Sequence, residues 1–291
     1  LTQRPGALVH AVIYLNKTMV EATKARLAPV SSAMLYGRGV FTIVGIHNGN
    51  PFLWSKHWSR LSEHAKKLSL DLTGLTETSV SEALKKLVAV NQVDGGRAHV
   101  ILLASGFRDI WNARAHRSGK TDLLIMTGEP RKVRGEGLTL AVSPYRSNTF
   151  SPLAGIKSLN YLDQVLSREE AQSRDFDEAV VLNERGEIVS ATMANIFWVK
   201  EGTVYTPALI TGAINGITRE AVLEVAQTQF IPVVEGVYEI ADLTDADEIF
   251  LTSSSLGVGI ITTFDFRQYT VTVGSVAARL RTGFQALTKG I

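Results

Sequence analysis

A chain of 291 residues with 45% hydrophobic content has length for roughly two domains and ample material to bury a core. Its formal net charge is +2, with Lys and Arg dispersed and no basic arm, which argues against a nucleic-acid partner. Cysteine is absent, which excludes disulfides, thiolate catalysis and Cys-ligated zinc. No apolar run approaches the roughly 20 residues of a membrane helix. The opening LTQRPGALVH lacks the charged-then-apolar pattern of a secretory signal. A cytoplasmic protein that binds neither nucleic acid nor membrane is expected.

Along the chain, short apolar segments alternate with helical ones, which argues for an α/β fold. VFTIVGI and PFLW flank Asn48-Gly49, a turn dipeptide, and predict a hairpin. In SKHWSRLSEHAKKLSL, Trp58, Leu61, Ala65 and Leu68 recur at helical spacing, and 78–90 predicts a second helix. Strands follow at 99–104 and 122–126. The stretch GEPRKVRGEG has the composition of a linker. The division expected is a smaller α/β domain at 1–127, a linker at 128–136 and a larger domain at 137–291. In the larger domain, LTLAVS predicts a strand and 161–174 a helix. EAVVLN, EIVSAT, ANIFWV and TVYTP predict strands joined by turns at Gly186 and Gly202. Further helices are expected at 218–229 and 276–287.

The stretch that bears chemistry is SPLAGIKSLNYLDQVLSREEA. Lys157 sits among Leu153, Ile156 and Leu159, where a loop gives way to a helix. An ammonium in apolar surroundings loses hydration, so its pKa falls and the amine becomes a nucleophile able to form a Schiff base. In isolation such a lysine is more often a surface residue with a buried stem. Arg60 in HWSRL carries a guanidinium that can donate two parallel hydrogen bonds, but in isolation such a helix arginine is more often a solvated one. Ile217 and Thr218, ahead of the helix REAVLEVA, would turn free N–H groups toward an anion, with Gly216 permitting the tight turn. LTSSS, at 251–255, reads as a loop whose Ser253 and Ser254 can donate hydroxyls.

IKSLN with its following helix resembles the cofactor-lysine segment of class IV (fold type IV) pyridoxal-5′-phosphate (PLP) enzymes. LYGRGVFTIVGI, HWSRL, ANIFWVKEGTVYTP and AINGITRE agree with that family in order. The resemblance runs over nearly the whole chain. It implies two domains, the larger of them β-barrel-like, with PLP on Lys157, an amino-acid or amine substrate, and a homodimer. It implies cofactor-binding roles for Arg60, Lys157, Tyr161, Ser190, Asn195, Ile217, Thr218, Ser253 and Ser254. It also implies a catalytic role for Thr42 beside Lys157, and substrate-binding roles for Tyr36, Phe41 and Arg108. Trp111, Arg114 and His116 neighbour Arg108 and share its reading.

One departure stands out. The family places a Glu five residues before the Asn of its [AE]-N-[LI]-F motif, paired with the pyridine nitrogen. Here the Asn is Asn195 and that position holds Ser190. Strand alternation is expected to turn Glu187, three residues earlier, to the opposite face, so that it does not substitute. A serine cannot stabilise a charged ring nitrogen, which disfavours transamination more than an elimination. The pair Phe41-Thr42 and the runs LAGIKSLN, LDQVL, ANIFW, VYTP and NGI are most similar to 4-amino-4-deoxychorismate lyase. Branched-chain aminotransferases have F-E-G-x-R, whose Arg is Gly45 here. The leading expectation is therefore pyruvate elimination giving 4-aminobenzoate. The alternative is an aminotransferase of branched-chain, D-amino-acid or R-amine type. The remote third reading is a non-catalytic PLP-binding protein.

Overall fold

The computed structural model describes residues 9–106, 119–131, 137–270 and 272–290. Two compact units divide the chain. The first holds residues up to Arg131 together with Ile156–Asn160, and the second holds Lys132–Gly155 and Tyr161–Gly290. The segment around Lys157, distant in sequence, thus belongs with the first unit.

The first unit contains, in order, β1 (Val12–Leu15), β2 (Thr18–Glu21), α1 (Ser32–Tyr36), β3 (Gly39–His47), β4 (Asn50–Pro51), α2 (Trp54–Lys67), α3 (Glu77–Val90), β5 (Gly96–Ala104) and β6 (Thr121–Gly128). Its sheet has the order β2-β1-β6-β5-β3-β4 with antiparallel neighbours. Strand residues alternate between faces. Val40, Val44, Ala98, Val100, Leu102, Leu123 and Ile125 turn to one face, where they pack with Leu61 and Ala65 of α2 and Leu84 and Leu87 of α3. Thr76 caps α3 through its hydroxyl, which accepts from the Ser79 N–H, while the Ser79 side chain reaches back to the Thr76 N–H. The expected hairpin forms, but its second strand is two residues long. Leu53 takes a left-handed conformation (φ 50°) and α2 begins at Trp54. Apolar PFLW therefore serves a strand end and a helix start, which a propensity reading cannot separate.

The second unit contains β7 (Leu138–Ser147), α4 (Leu162–Ser173), β8 (Glu178–Asn183), β9 (Ile188–Ala191), β10 (Asn195–Lys200), β11 (Thr203–Pro207), α5 (Ile217–Thr228), β12 (Val233–Gly236), α6 (Ile240–Thr244), β13 (Glu248–Ser253), β14 (Gly257–Phe264), β15 (Arg267–Gln268) and α7 (Val276–Lys289). Its sheet runs β12-β11-β10-β13-β14-β7-β8-β9, with β15 on β14. Gly186 and Gly202 hold the predicted turns at φ 82° and 75°. β7 and β8 pair in parallel across the α4 connection. Ile196, Trp198, Ile249, Leu251 and Ile261 form the centre of its core. The LTSSS run is not wholly a loop: Leu251, Thr252 and Ser253 continue β13 in register with β14, and only the residues after Ser253 turn. Among the described residues no helix is long and apolar enough to cross a membrane.

Candidate active site

In the first unit, α2 presents His57, Arg60, Leu61 and His64 toward β3, a spacing of three, four and seven residues that stacks side chains on one helical face. Thr42, wholly buried on β3, meets this face. Arg60 Nη2 donates to Thr42 Oγ1 at 3.0 Å, and Thr42 Oγ1 lies 2.7 Å from His57 Nδ1. Burial first, then the charges of Arg60 and Lys157, hold His57 well below its ordinary pKa. A neutral His57 can accept the Thr42 proton. The chain of donors then runs from Arg60 through Thr42 to His57, which fixes the guanidinium.

Lys157 is bound to the same framework through its backbone. Its carbonyl accepts from the Phe41 N–H at 3.0 Å, the Leu159 N–H donates to the Gly39 carbonyl at 3.0 Å, and Ser158 bridges Val40 antiparallel. The Lys157 N–H donates to His64 Nδ1 at 3.1 Å. That bond requires a lone pair on Nδ1, so His64 is the neutral tautomer with its proton on Nε2. Burial, then Arg60, lowers the His64 pKa to about 4. The Lys157 ammonium sits 4.4 Å from the Phe41 ring centroid. The residue as a whole keeps some exposure, but burial of the amine, followed by repulsion from Arg60, lowers its pKa to about 7. A large fraction of an amine with that pKa is an unprotonated nucleophile at neutral pH.

The lysine's side of the sheet continues along β5. Phe41 stacks on His99 with centroids 6.4 Å apart and an interplanar angle of 24°. His99 is lowered to about 4 by burial, then by the charges of Arg97 and Lys157. Tyr36 ends α1 with its side chain exposed. Arg108, Trp111, Arg114 and His116 lie outside the described residues.

In the second unit, Gly216 caps α5 with ordinary extended dihedrals (φ −75°, ψ 137°), so a left-handed turn is not why glycine stands there. The reason is space: a Cβ at Gly216 would fall 2.1 Å from Asn195 Oδ1. Asn195 Nδ2 also donates to the Ile214 carbonyl at 2.8 Å. Asn195 is thus a clamp on the loop that leads into α5, and the N-cap residue, Gly216, has no side chain to cap the first helical N–H groups, those of Ile217 and Thr218. Buried Thr252 Oγ1 has no partner among the described residues. Tyr161 is the residue preceding α4, and Ser190 is half-buried opposite Val181 on β8. The alternation argument for Glu187 fails on its own premise, because a bulge makes Ser190 pair Val181 while Ile188 pairs Leu182. Glu187 is otherwise committed: Asn183 Nδ2 donates to it at 2.7 Å and Arg185 forks onto it, holding its carboxyl at about 2.

Sequence reasoning missed His57, His64, Arg97 and His99. The first two were readable as helical neighbours of Arg60. The last two alternate on a strand, and only the β3–β5 register brings their side to Phe41.

A desolvated lysine tied through its backbone to a helix that carries an arginine is suited to Schiff-base chemistry. The amino-transferase class IV family model matches residues 39–264, and the chain belongs to that family. It is 30% identical over 282 residues to the aminodeoxychorismate lyase of Bacillus subtilis, covering 96% of this chain and 94% of that protein. It is 29% identical over 263 residues to a D-alanine aminotransferase of Listeria monocytogenes, covering 87% of each. Its fold superposes on the branched-chain aminotransferase of Thermoproteus uzoniensis, solved with norvaline, with a TM-score of 0.89 and 26% identity over 97% of this chain and 95% of that one. The fold is fold type IV, and the protein is a PLP-dependent enzyme. Within the first unit the residues present suit such a group: a lysine amine lowered to about 7 could meet an aldehyde, and an arginine fixed one helical turn from the lysine's histidine anchor could meet a phosphate.

Proposed function

We propose that Lys157 carries PLP and that the reaction is the lyase one, removal of pyruvate from 4-amino-4-deoxychorismate to leave 4-aminobenzoate. The observation that carries the attachment is the Lys157 amine, lowered to about 7 over the Phe41 ring with Arg60 near it. We assign Arg60 to the cofactor phosphate. Thr42 and His57 act through Arg60 by fixing its direction, and the occupied Thr42 hydroxyl makes it a positioning residue in this reading. In the second unit, Ile217, Thr218, Ser253 and Ser254 are assigned as phosphate donors, Tyr161 as a phenolic-oxygen partner and Ser190 as a ring-nitrogen partner, with Asn195 supporting the α5 loop. Phe41 and Tyr36 are assigned to the substrate.

Bound PLP supplies an electron sink for the carbon that bears the amine. Lys157 would hold the cofactor, and its uncharged Nζ, once free, would take the proton from that carbon. The enolpyruvyl C–O bond on the neighbouring carbon breaks, its electron pair leaves with oxygen, and the ring becomes aromatic. The proton held by Lys157 returns to the departing enolpyruvate to give pyruvate, so atoms and charge balance. Ser190 supports this choice, because a hydroxyl gives the ring nitrogen a hydrogen bond without a counter-charge. Phe41-Thr42 and Gly45 support it as well.

The second reading is amino-group transfer. The near-equal identity to the Listeria D-alanine aminotransferase favours it. The deciding experiment has two parts. Borohydride reduction of the yellow PLP-loaded protein should fix the cofactor to the peptide containing Lys157, and a colourless protein with no reducible adduct overturns the assignment. Pyruvate release from 4-amino-4-deoxychorismate, without keto-acid formation from an L-, D- and R-amine panel, is the expected second result. Keto-acid formation without pyruvate release overturns the lyase reading.

A further inference from the structure

Apart from the residues assigned above, the second unit buries a carboxyl group. Glu178 opens β8 and is wholly buried. Taking such a group out of water is unfavourable unless hydrogen bonds and an opposite charge offset the loss. Its Oε2 accepts from the Thr192 hydroxyl and from the Met193 N–H, the latter at 3.3 Å. Its Oε1 lies 4.0 Å from Arg168 Nε on α4. Two of these three partners are the central residues of one turn, which joins β9 to β10. The Ala191 N–H closes that turn on the Ala194 carbonyl at 2.9 Å, and the Thr192 N–H ties it to the Ala179 carbonyl at 3.0 Å. Main-chain bonds therefore close the turn already, and Glu178 adds a hold on its middle.

Ser190 stands immediately before this turn, and its own strand sets it loosely. Pairing with β8 passes from Val181–Ser190 to Leu182–Ile188, so Val189 is an extra residue and the ladder breaks on that side of Ser190. On the other side the Val180–Ala191 pair leads straight into the turn. A residue between a bulge and a turn takes its direction from whichever of the two is fixed. Here the turn is fixed, from Glu178. We propose that Glu178 is a positioning residue: by holding Thr192 and Met193 it sets the direction of the Ser190 hydroxyl and so its hydrogen bond to a pyridine ring nitrogen. Arg168 supplies the charge that lets the carboxyl group stay buried there. This deepens the function proposed above and rests on Ser190 as the ring-nitrogen partner.

The test is titration of the cofactor-free full chain with PLP and with its carbocyclic analogue, in which a C–H replaces the ring nitrogen. Wild-type protein should prefer PLP by roughly 3- to 10-fold, the range for one neutral hydrogen bond. Ser190→Ala should abolish that preference. Glu178→Gln should cut it to less than about 2-fold, and so should Thr192→Val, which keeps the shape of the turn residue and removes its hydroxyl. The ratio of PLP to pyridoxal affinity, which reads the phosphate, should stay near wild type in both. A merely structural Glu178 would weaken PLP and the analogue alike, and an intact preference in Thr192→Val and Glu178→Gln overturns the proposal. Thr192→Val decides alone if Glu178→Gln does not fold. A preference that survives Ser190→Ala, or is absent from wild type, overturns the Ser190 assignment and this proposal with it. Loss in Ser190→Ala alone overturns only the role of Glu178, so the two failures are distinguishable.

Discussion

The β3–α2 region of the first unit and the Asn195–α5 region of the second use polar side chains in different ways. Around Lys157, functional groups hold one another: Arg60 on Thr42, Thr42 against His57, and the lysine backbone on His64. Around α5, the side chain holds the scaffold. Asn195 grips the Ile214 carbonyl and lies against Gly216, and α5 opens with the main-chain N–H groups of Ile217 and Thr218. The first arrangement tunes charge, since its histidines are all neutral and the lysine sits near 7. The second tunes shape. Changes in the first should therefore move pH profiles and reactivity, and changes in the second should move cofactor affinity.

The largest expected effect is Lys157→Ala. In the proposed reading it removes both the attachment point and the base, and turnover should fall by at least about 10³-fold, with no borohydride-fixed adduct. Measured turnover within tenfold of wild type would remove the lysine from the centre of the comparison. Next comes Gly216→Ala. A Cβ there would overlap Asn195 Oδ1, so either Asn195 or the start of α5 must move. Overpacking of this kind costs about 1–3 kcal/mol. The informative readout is the ratio of affinities for PLP and for pyridoxal, which lacks the phosphate. We expect PLP affinity to fall roughly tenfold or more while pyridoxal affinity stays near wild type. An unchanged ratio would mean that the α5 loop does not serve a phosphate.

These two residues also mark what a sequence can reveal. Lys157 draws notice in the sequence because several motifs fall in order around it, and the major strands and helices were legible from period and turn residues. Gly216 was legible as important but for the wrong reason: its dihedrals are ordinary, and the cause is a side chain 21 positions earlier. The division of the chain was legible only to first order, because Ile156–Asn160 joins the first unit through hydrogen bonds to β3 that no local pattern announces. His99 and Arg97 were invisible for a related reason. Alternation says that they share a face, but only strand pairing says whose face it is. The Glu187 argument failed because one bulge cancels a parity rule.

A smaller effect is expected from Thr42→Val, which keeps the shape and removes the hydroxyl. Arg60 loses an acceptor and His57 a partner in a fully buried place. Leaving such groups unsatisfied costs about 1–3 kcal/mol. PLP affinity should fall more than pyridoxal affinity, as Arg60 loses its direction. If Thr42 instead touches substrate, PLP affinity will be unchanged and only turnover will drop.

The smallest effect, and the sharpest on the tuning argument, concerns acid. His64 has a folded pKa of about 4 against an ordinary value of 6.5. Between those values the unfolded chain binds the proton and the folded one refuses it. Stability from this group is therefore fully present above about pH 6.5 and is lost as pH falls toward 4. His99, lowered to the same degree, adds a contribution of the same sign. Each should contribute on the order of 1 kcal/mol across the window. His64→Asn separates the two roles of His64, because an amide Oδ1 can accept from the Lys157 N–H as Nδ1 does but does not titrate. Its melting temperature should fall less steeply between pH 6.5 and 4 than that of wild type. The pH dependence of Lys157 modification in the apoprotein should remain near wild type. His64→Leu should flatten the same stability slope but also shift the Lys157 profile, since the backbone N–H loses its acceptor. If Asn and Leu give the same Lys157 profile, His64 does not position the lysine, and the mutual bonding that distinguishes the first region from the second is packing alone.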